Sequence, residues 1–268
     1  MTITASRGAY DKVQHESQAD AYKQREGFPK DLLESQLQDF ALGDCKGLTV
    51  LDIGGGQGLR ARQAIDHGAA AVDVVDLSPE MMRTGEKIEQ SLGRGDSIVR
   101  WFEADVSKPE EVARLPLRFK EKGYDIVMGN WIFDHASNME MLDGMFQSIV
   151  AYLKPGGLFV GTRVFNTPRA PATSNPKYGA VYKDIAEIPG GMFFRYVVNV
   201  DPPATFDAAT MEATYNPAKL EETHARYGLG ETKIVPWEDA DCVKKDPEFW
   251  KEFLEMPNLA VVTARKTG

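Results

Sequence analysis

Between Leu48 and Phe165 the chain switches again and again between two hydrophobic periods. Short apolar, β-branched runs (LTVLDIG, AVDVVDLS, SIVRWFEADV, YDIVMGNWIF and LFVGTRVF) read as buried strands. Between them lie segments of helical period. In MLDGMFQSIVAYL, Leu142, Met145, Phe146, Ile149, Val150 and Leu153 fall on one inward face. Strands and helices alternate this regularly in a parallel sheet covered by helices on both faces. TKIVPW and LAVVTARK, separated by the helix DPEFWKEFLEM, complete the count. The expected fold is α/β: a doubly wound, mostly parallel seven-stranded sheet.

Four parts follow from the pattern. Residues 1–45 are expected to form an N-terminal helical cover, in which PKDLLESQLQDFAL places Leu32, Leu33, Leu37 and Phe40 on one stripe. Residues 46–165 form the ligand-binding α/β core, with Ser78 as N-cap and Pro79 at the first position of its second helix. Residues 166–215, beginning NTPRAPATSNPKYG, are rich in proline and glycine and show no clean period. So long an insertion after strand five is expected to be irregular and to shape a substrate pocket. Residues 216–268, opened by Asn216 and Pro217, return to the core.

Bulk properties narrow the partners. A chain of 268 residues holds one large domain, or one with an insertion. With 31 basic against 40 acidic residues, its net charge of −9 gives no global attraction for nucleic acid or anionic membranes, and neither is expected as a partner. Cys45 and Cys242 have no metal or disulfide spacing, and no metal is expected. The polar N-terminus and the lack of an apolar run near about 20 residues point to a soluble, cytoplasmic protein. Oligomeric state is not legible.

The stretch LDIGGGQG, Leu51–Gly58, lies between the first strand and the first helix of the alternation, the switch-point position where such sheets bind ligands. A P-loop is excluded, because the sixth position from Gly54 is Leu59 and no lysine follows. A dinucleotide fingerprint on Gly54 and Gly56 would put its third glycine at Leu59. The pattern acid-x-Gly-x-Gly-x-Gly does fit, on Asp52, Gly54, Gly56 and Gly58. It resembles the first motif of the class I S-adenosylmethionine-dependent methyltransferases.

That resemblance implies a Rossmann-like methyltransferase fold with S-adenosylmethionine as cofactor, the glycines lying against its methionine portion. It implies that Asp76, with Leu77 beside it, receives the ribose hydroxyls, and that Asp105, with Val106, faces the adenine amino group. Asn130 in YDIVMGNWIFDH falls near the cofactor, and YLKPGGLFV matches the family's turn into strand five. The likeness spans about residues 48–165. Shorter matches, GNWIFDHA, KYG, DPP and PEFW, are similar to a small-molecule subgroup that includes the toxoflavin-pathway N-methyltransferase. Asp76 alone would equally suit NAD. A NAD-dependent oxidoreductase is disfavoured by the missing third glycine and by YGAVYK, whose tyrosine stands five residues before its lysine rather than four.

Methyl transfer is an in-line displacement that needs alignment and exclusion of water, and a base only when the attacking atom arrives protonated. His135 is the candidate base; lining the pocket is its other reading, and Asp134 would either orient it or cap the next helix. Tyr10, Trp131, Tyr178 and Arg195 are candidates for binding a small, aromatic or heteroaromatic acceptor, and the resemblance implies that the aromatic segment around Tyr10 covers the cofactor. The competing function is a protein of this fold that binds the cofactor without methylating.

Overall fold

The computed structural model describes residues 27–95 and 97–268. Tyr10 and most of the expected N-terminal cover lie outside the described residues. The strands in chain order are β1 (Thr49–Ile53), β2 (Ala71–Asp76), β3 (Val99–Glu103), β4 (Tyr124–Met128), β5 (Leu153–Val164), β6 (Ala180–Ile188), β7 (Gly191–Val198), β8 (Ala204–Met211), β9 (Leu229–Ile234) and β10 (Leu259–Lys266). The longer helices are α1 (Pro29–Leu42), α2 (Leu59–Asp66), α3 (Pro79–Ser91), α4 (Met139–Tyr152), α5 (Leu220–Arg226) and α6 (Pro247–Glu255).

Seven strands form one sheet in the order β3-β2-β1-β4-β5-β10-β9. β1 runs parallel to β2 (Val50↔Val72) and to β4 (Val50↔Ile126), whereas β10 is antiparallel to β5 (Leu259↔Val164) and to β9. The expected mostly parallel sheet is therefore present. Its order reverses between β1 and β4, so the chain leaves β1 into a crevice rather than over a neighbouring crossover. Burial explains the strand composition: Val50, Leu51, Ile53, Val72, Val74 and Val75 are all shielded from solvent. At the start of α3, Ser78 Oγ accepts from Met81 N with Pro79 at the first helical position.

The structure departs from the sequence expectation in three places. The segment expected to be irregular contains a second sheet, β6-β7-β8, antiparallel, with β7 and β8 paired from Gly191↔Met211 to Val198↔Ala204. Its alternation is hidden because Met192, Phe193 and Phe194 are buried in succession, and because a register shift interrupts β6 between Lys183 and Ala186. The turn KPGG is taken up within β5, which begins directly at Leu153 and pairs with Tyr124 before its own register shift. On α1, Leu32 and Phe40 are 47% and 53% exposed. The buried stripe is rotated toward Lys30, Glu34 and Gln38, with Leu33 and Leu37. Distant partners for those polar groups decide the rotation.

Among the described residues, no helix is long and apolar enough to cross a membrane.

Candidate active site

The loop after β1 turns with Gly54, Gly56 and Gly58 all at positive φ, 69°, 55° and 75°. This is the left-handed region that costs other L-residues about 1–2 kcal/mol. Gly54 donates to Val75 O at 2.7 Å, which pins the turn to the end of β2. A Cβ on Gly54 would stand 2.3 Å from Ile132 Cγ2. Gly58 serves a different contact: it caps α2, and its Cβ would meet the Trp101 ring at 2.5 Å. Gly58 is therefore a packing glycine, outside the cavity lining.

Beside the loop lies a cavity of about 320 Å³. It brings together Asp52, Gly54, Gly56, Asp76, Leu77, Asp105, Val106 and Asn130, and also Trp131 and His135. Tyr178 and Arg195 are not among its lining. Tyr178 is fully buried, stacked on Trp250 with ring centroids 5.4 Å apart, its hydroxyl donating to Phe249 O. Arg195 pairs with Asp207 at 2.8 Å and Asp184 at 2.7 Å across the small sheet. Among the described residues, none of 166–215 lines this cavity. β8 reaches the site indirectly, through a bridge between Ala209 and His135.

The carboxylates differ in their surroundings. Asp76 accepts from Gly56 N and Ser78 N, both at 2.8 Å. Asp105 accepts from Ser107 N and Oγ and meets Lys108 Nζ at 3.3 Å, closing the turn beyond β3. Asp52 is buried, with neither oxygen in a hydrogen bond of ordinary geometry. Burial first, and Asp76 second, push its carboxyl up to about 7. Asn130 is anchored through its Oδ1, which accepts from Thr162 N at 2.9 Å, Thr162 Oγ1 at 3.0 Å and Gln38 Nε2.

Asp134 neither orients His135 nor caps a helix. Its Oδ2 accepts from Val164 N at 3.0 Å and it bonds Thr210, tying the turn after β4 to β5 and β8; burial raises it to about 6. Asn138 caps α4 instead. Beneath this turn the wholly buried Arg163 guanidinium lies 4.7 Å from the Phe133 ring centroid and donates to His224 Nε2 at 3.3 Å. Burial draws Arg163 down to about 9 and His224 to about 3, so the imidazole is neutral at physiological pH.

The sequence reading missed the wall contributed by α1 and α2. Asp31, Glu34, Arg60 and Arg62 all line the cavity. Glu34 pairs with Arg60 at 2.9 Å and accepts from Trp131 Nε1, 3.0 Å from each carboxylate oxygen. Trp131 itself has φ 63°, a left-handed residue held by its N–H to Thr162 O at 2.7 Å. The available signal was the polar stripe of α1, with Asp31, Glu34 and Gln38 at helical spacing, which the leucines overshadowed.

A switch-point glycine loop followed by a strand-end acid defines a nucleoside-binding Rossmann-like enzyme fold. Residues 50–157 match the family model described as a methyltransferase domain. No curated protein sequence matches the chain. Among solved structures, the chain is similar to the CcbJ methyltransferase from Streptomyces caelestis, at 21% identity and TM-score 0.61, covering 97% of this chain and 100% of that one. It is also similar to DhpI in complex with S-adenosylhomocysteine (16% identity, TM-score 0.58, 96% and 95% covered). A third is an S-adenosylmethionine-dependent methyltransferase from Mesorhizobium loti (19%, TM-score 0.54, 85% and 95%). Residues 50–157 thus match a methyltransferase domain, and the chain as a whole shares the fold of S-adenosylmethionine-dependent methyltransferases.

The cavity's own chemistry suits that cofactor. Four carboxylates (Asp31, Glu34, Asp76, Asp105) and the Asp52 carboxyl face two guanidiniums (Arg60, Arg62), so the wall favours a ligand bearing cationic groups.

Proposed function

We propose that this enzyme methylates a small molecule at nitrogen, oxygen or sulfur, with an aromatic or heteroaromatic acceptor fitting best. The observation that carries the reading is that His135 and Trp131 line the same cavity as the glycine loop and Asp76. When bound, S-adenosylmethionine supplies an electrophilic methyl group on a sulfonium. Asp76 holds the ribose hydroxyls, Asp105 with Leu77 and Val106 receives the adenine, and Asp52 with the glycine loop lies against the methionine portion. Asn130, fixed by Thr162, would present a rigid part of the lining to the bound cofactor. Trp131 forms an aromatic wall tied to α1 through Glu34, with Met141 and Met145 supplying apolar surface that excludes water. His135, lining that cavity, is the group that would take a proton from an acceptor that arrives protonated.

Calorimetric titration with S-adenosylhomocysteine, with NAD as control, tests the site. Binding of the first alone, lost in a folded Asp76→Ala variant, is expected; NAD binding alone overturns the reading. Labelled methyl transfer to a panel of aromatic amines, phenols and thiols then tests the acceptor class. His135→Gln is expected to lower turnover with little change in S-adenosylhomocysteine affinity. Tight binding with no transfer to any acceptor favours the non-methylating alternative.

A further inference from the structure

Asp52 on β1 and Asp76 at the end of β2 line one cavity, yet only one of them is solvated by the protein. Asp76 takes two backbone N–H bonds, from Gly56 and Ser78. Asp52 is 1% exposed and neither oxygen makes a hydrogen bond of ordinary geometry; the Ala61 N–H favours its charge only weakly, behind burial, Asp76 and Arg60. The loop closes directly over it, since a Cβ on Gly55 would come within 2.7 Å of Asp52 Oδ2. The charged groups acting on it are Asp76 from β2, which opposes its ionisation, and Arg60 and Arg62 from α2, which favour it. Both arginines are already engaged. Arg60 is held by Glu34 of α1 at 2.9 Å and by Gln63, and Arg62 by Gln57 O at 2.7 Å and Glu89 at 3.4 Å. Of two neighbouring buried carboxyls, the one with two well-formed donor bonds keeps the charge and the poorly solvated one keeps the proton.

We propose that Asp52 is a proton-linked binding group: neutral on its own, it loses its proton to solvent when a ligand brings an ammonium group into the cavity. Binding of the ligand and release of the proton are then one event. The inference rests on the cofactor-site reading above and identifies the part of the ligand that Asp52 senses, the amino-acid ammonium rather than the nucleoside. No bond other than the carboxyl O–H is broken, and the proton passes to the buffer. Affinity for an ammonium-bearing ligand consequently rises with pH through neutrality and levels off above it. A nucleoside thioether without the amino-acid tail binds without that dependence.

The test is calorimetric titration of wild-type protein with S-adenosylhomocysteine at pH 7, in buffers of different ionisation enthalpy. With Asp52 poised at about 7, roughly half a proton is released per ligand bound. The Asp52→Asn variant, titrated with S-adenosylhomocysteine, releases none, and neither does wild type titrated with 5′-methylthioadenosine. Buffer-independent heats in wild type overturn the proposal, as does an equal proton count in Asp52→Asn or with 5′-methylthioadenosine. A second readout works on the ligand-free protein: a protonated-carboxyl stretch in the infrared at pH 6 whose Asp52 part is lost in Asp52→Asn, leaving the part that belongs to Asp134. If folded wild type shows that band but does not bind S-adenosylhomocysteine, the cofactor-site reading fails and the linkage falls with it. If it binds and the band is unchanged in Asp52→Asn, only the linkage is wrong.

Discussion

Glu34 is the residue on which the wall between α1 and the cavity depends. Its carboxylate meets Arg60 at 2.9 Å and Trp131 Nε1 at 3.0 Å, with the Glu34 and Arg60 side chains only 5% and 9% exposed. Glu34→Ala leaves a buried guanidinium with Gln63 as its remaining side-chain partner and strips Trp131 of its carboxylate acceptor. Removing one member of a buried ion pair costs about 3–5 kcal/mol, because the other charge stays desolvated. Losing the indole bond to a charged acceptor alone costs about 1.5–3 kcal/mol. The Trp131→Phe variant isolates that smaller share, and Glu34→Gln, which keeps an acceptor but not the charge, falls between. Urea unfolding monitored by circular dichroism measures each, and a Glu34→Ala/Trp131→Phe cycle measures their coupling. S-adenosylhomocysteine affinity is expected to fall in Glu34→Ala as the α1 wall loosens. A Glu34→Ala midpoint within about 0.5 kcal/mol of wild type would refute the buried-pair argument.

His67 and Arg195 give two further expectations. His67 bonds Asp39 at 2.8 Å and Gly43 O at 2.6 Å; burial opposes its charge, but these partners outweigh it and raise its pKa. A raised histidine adds stability that is complete below about pH 6.5 and fades as pH climbs through the folded-state value. Urea midpoints of wild type and His67→Gln are therefore expected to converge between acidic and mildly alkaline pH; a constant gap contradicts this. Arg195→Ala removes a pair that is partly exposed and remote from the cavity lining. Stability is expected to change by about 1 kcal/mol or less, with S-adenosylhomocysteine affinity and turnover within about twofold. A tenfold loss of affinity would return Arg195 to the site.

The sequence by itself determined what contiguous residues can encode. Two-sided apolar runs alternating with helical periods define a parallel sheet, and glycines at Gly54 and Gly56 define a turn that only a residue tolerant of positive φ makes cheaply. Asp76 was legible because a strand's end and a helix cap fix its place from both sides. Tertiary structure alone decided which face of α1 is buried, since Glu34 and Trp131 stand 97 positions apart and neither has a local reason to turn inward. It also decided that Asp134 braces β5 and β8, and that the insertion folds into a sheet carrying Arg195 away from the cavity. Local periodicity reports the burial of a segment against an averaged interior. The partner that pairs a buried charge is a single side chain, and only the folded chain brings it within bonding distance.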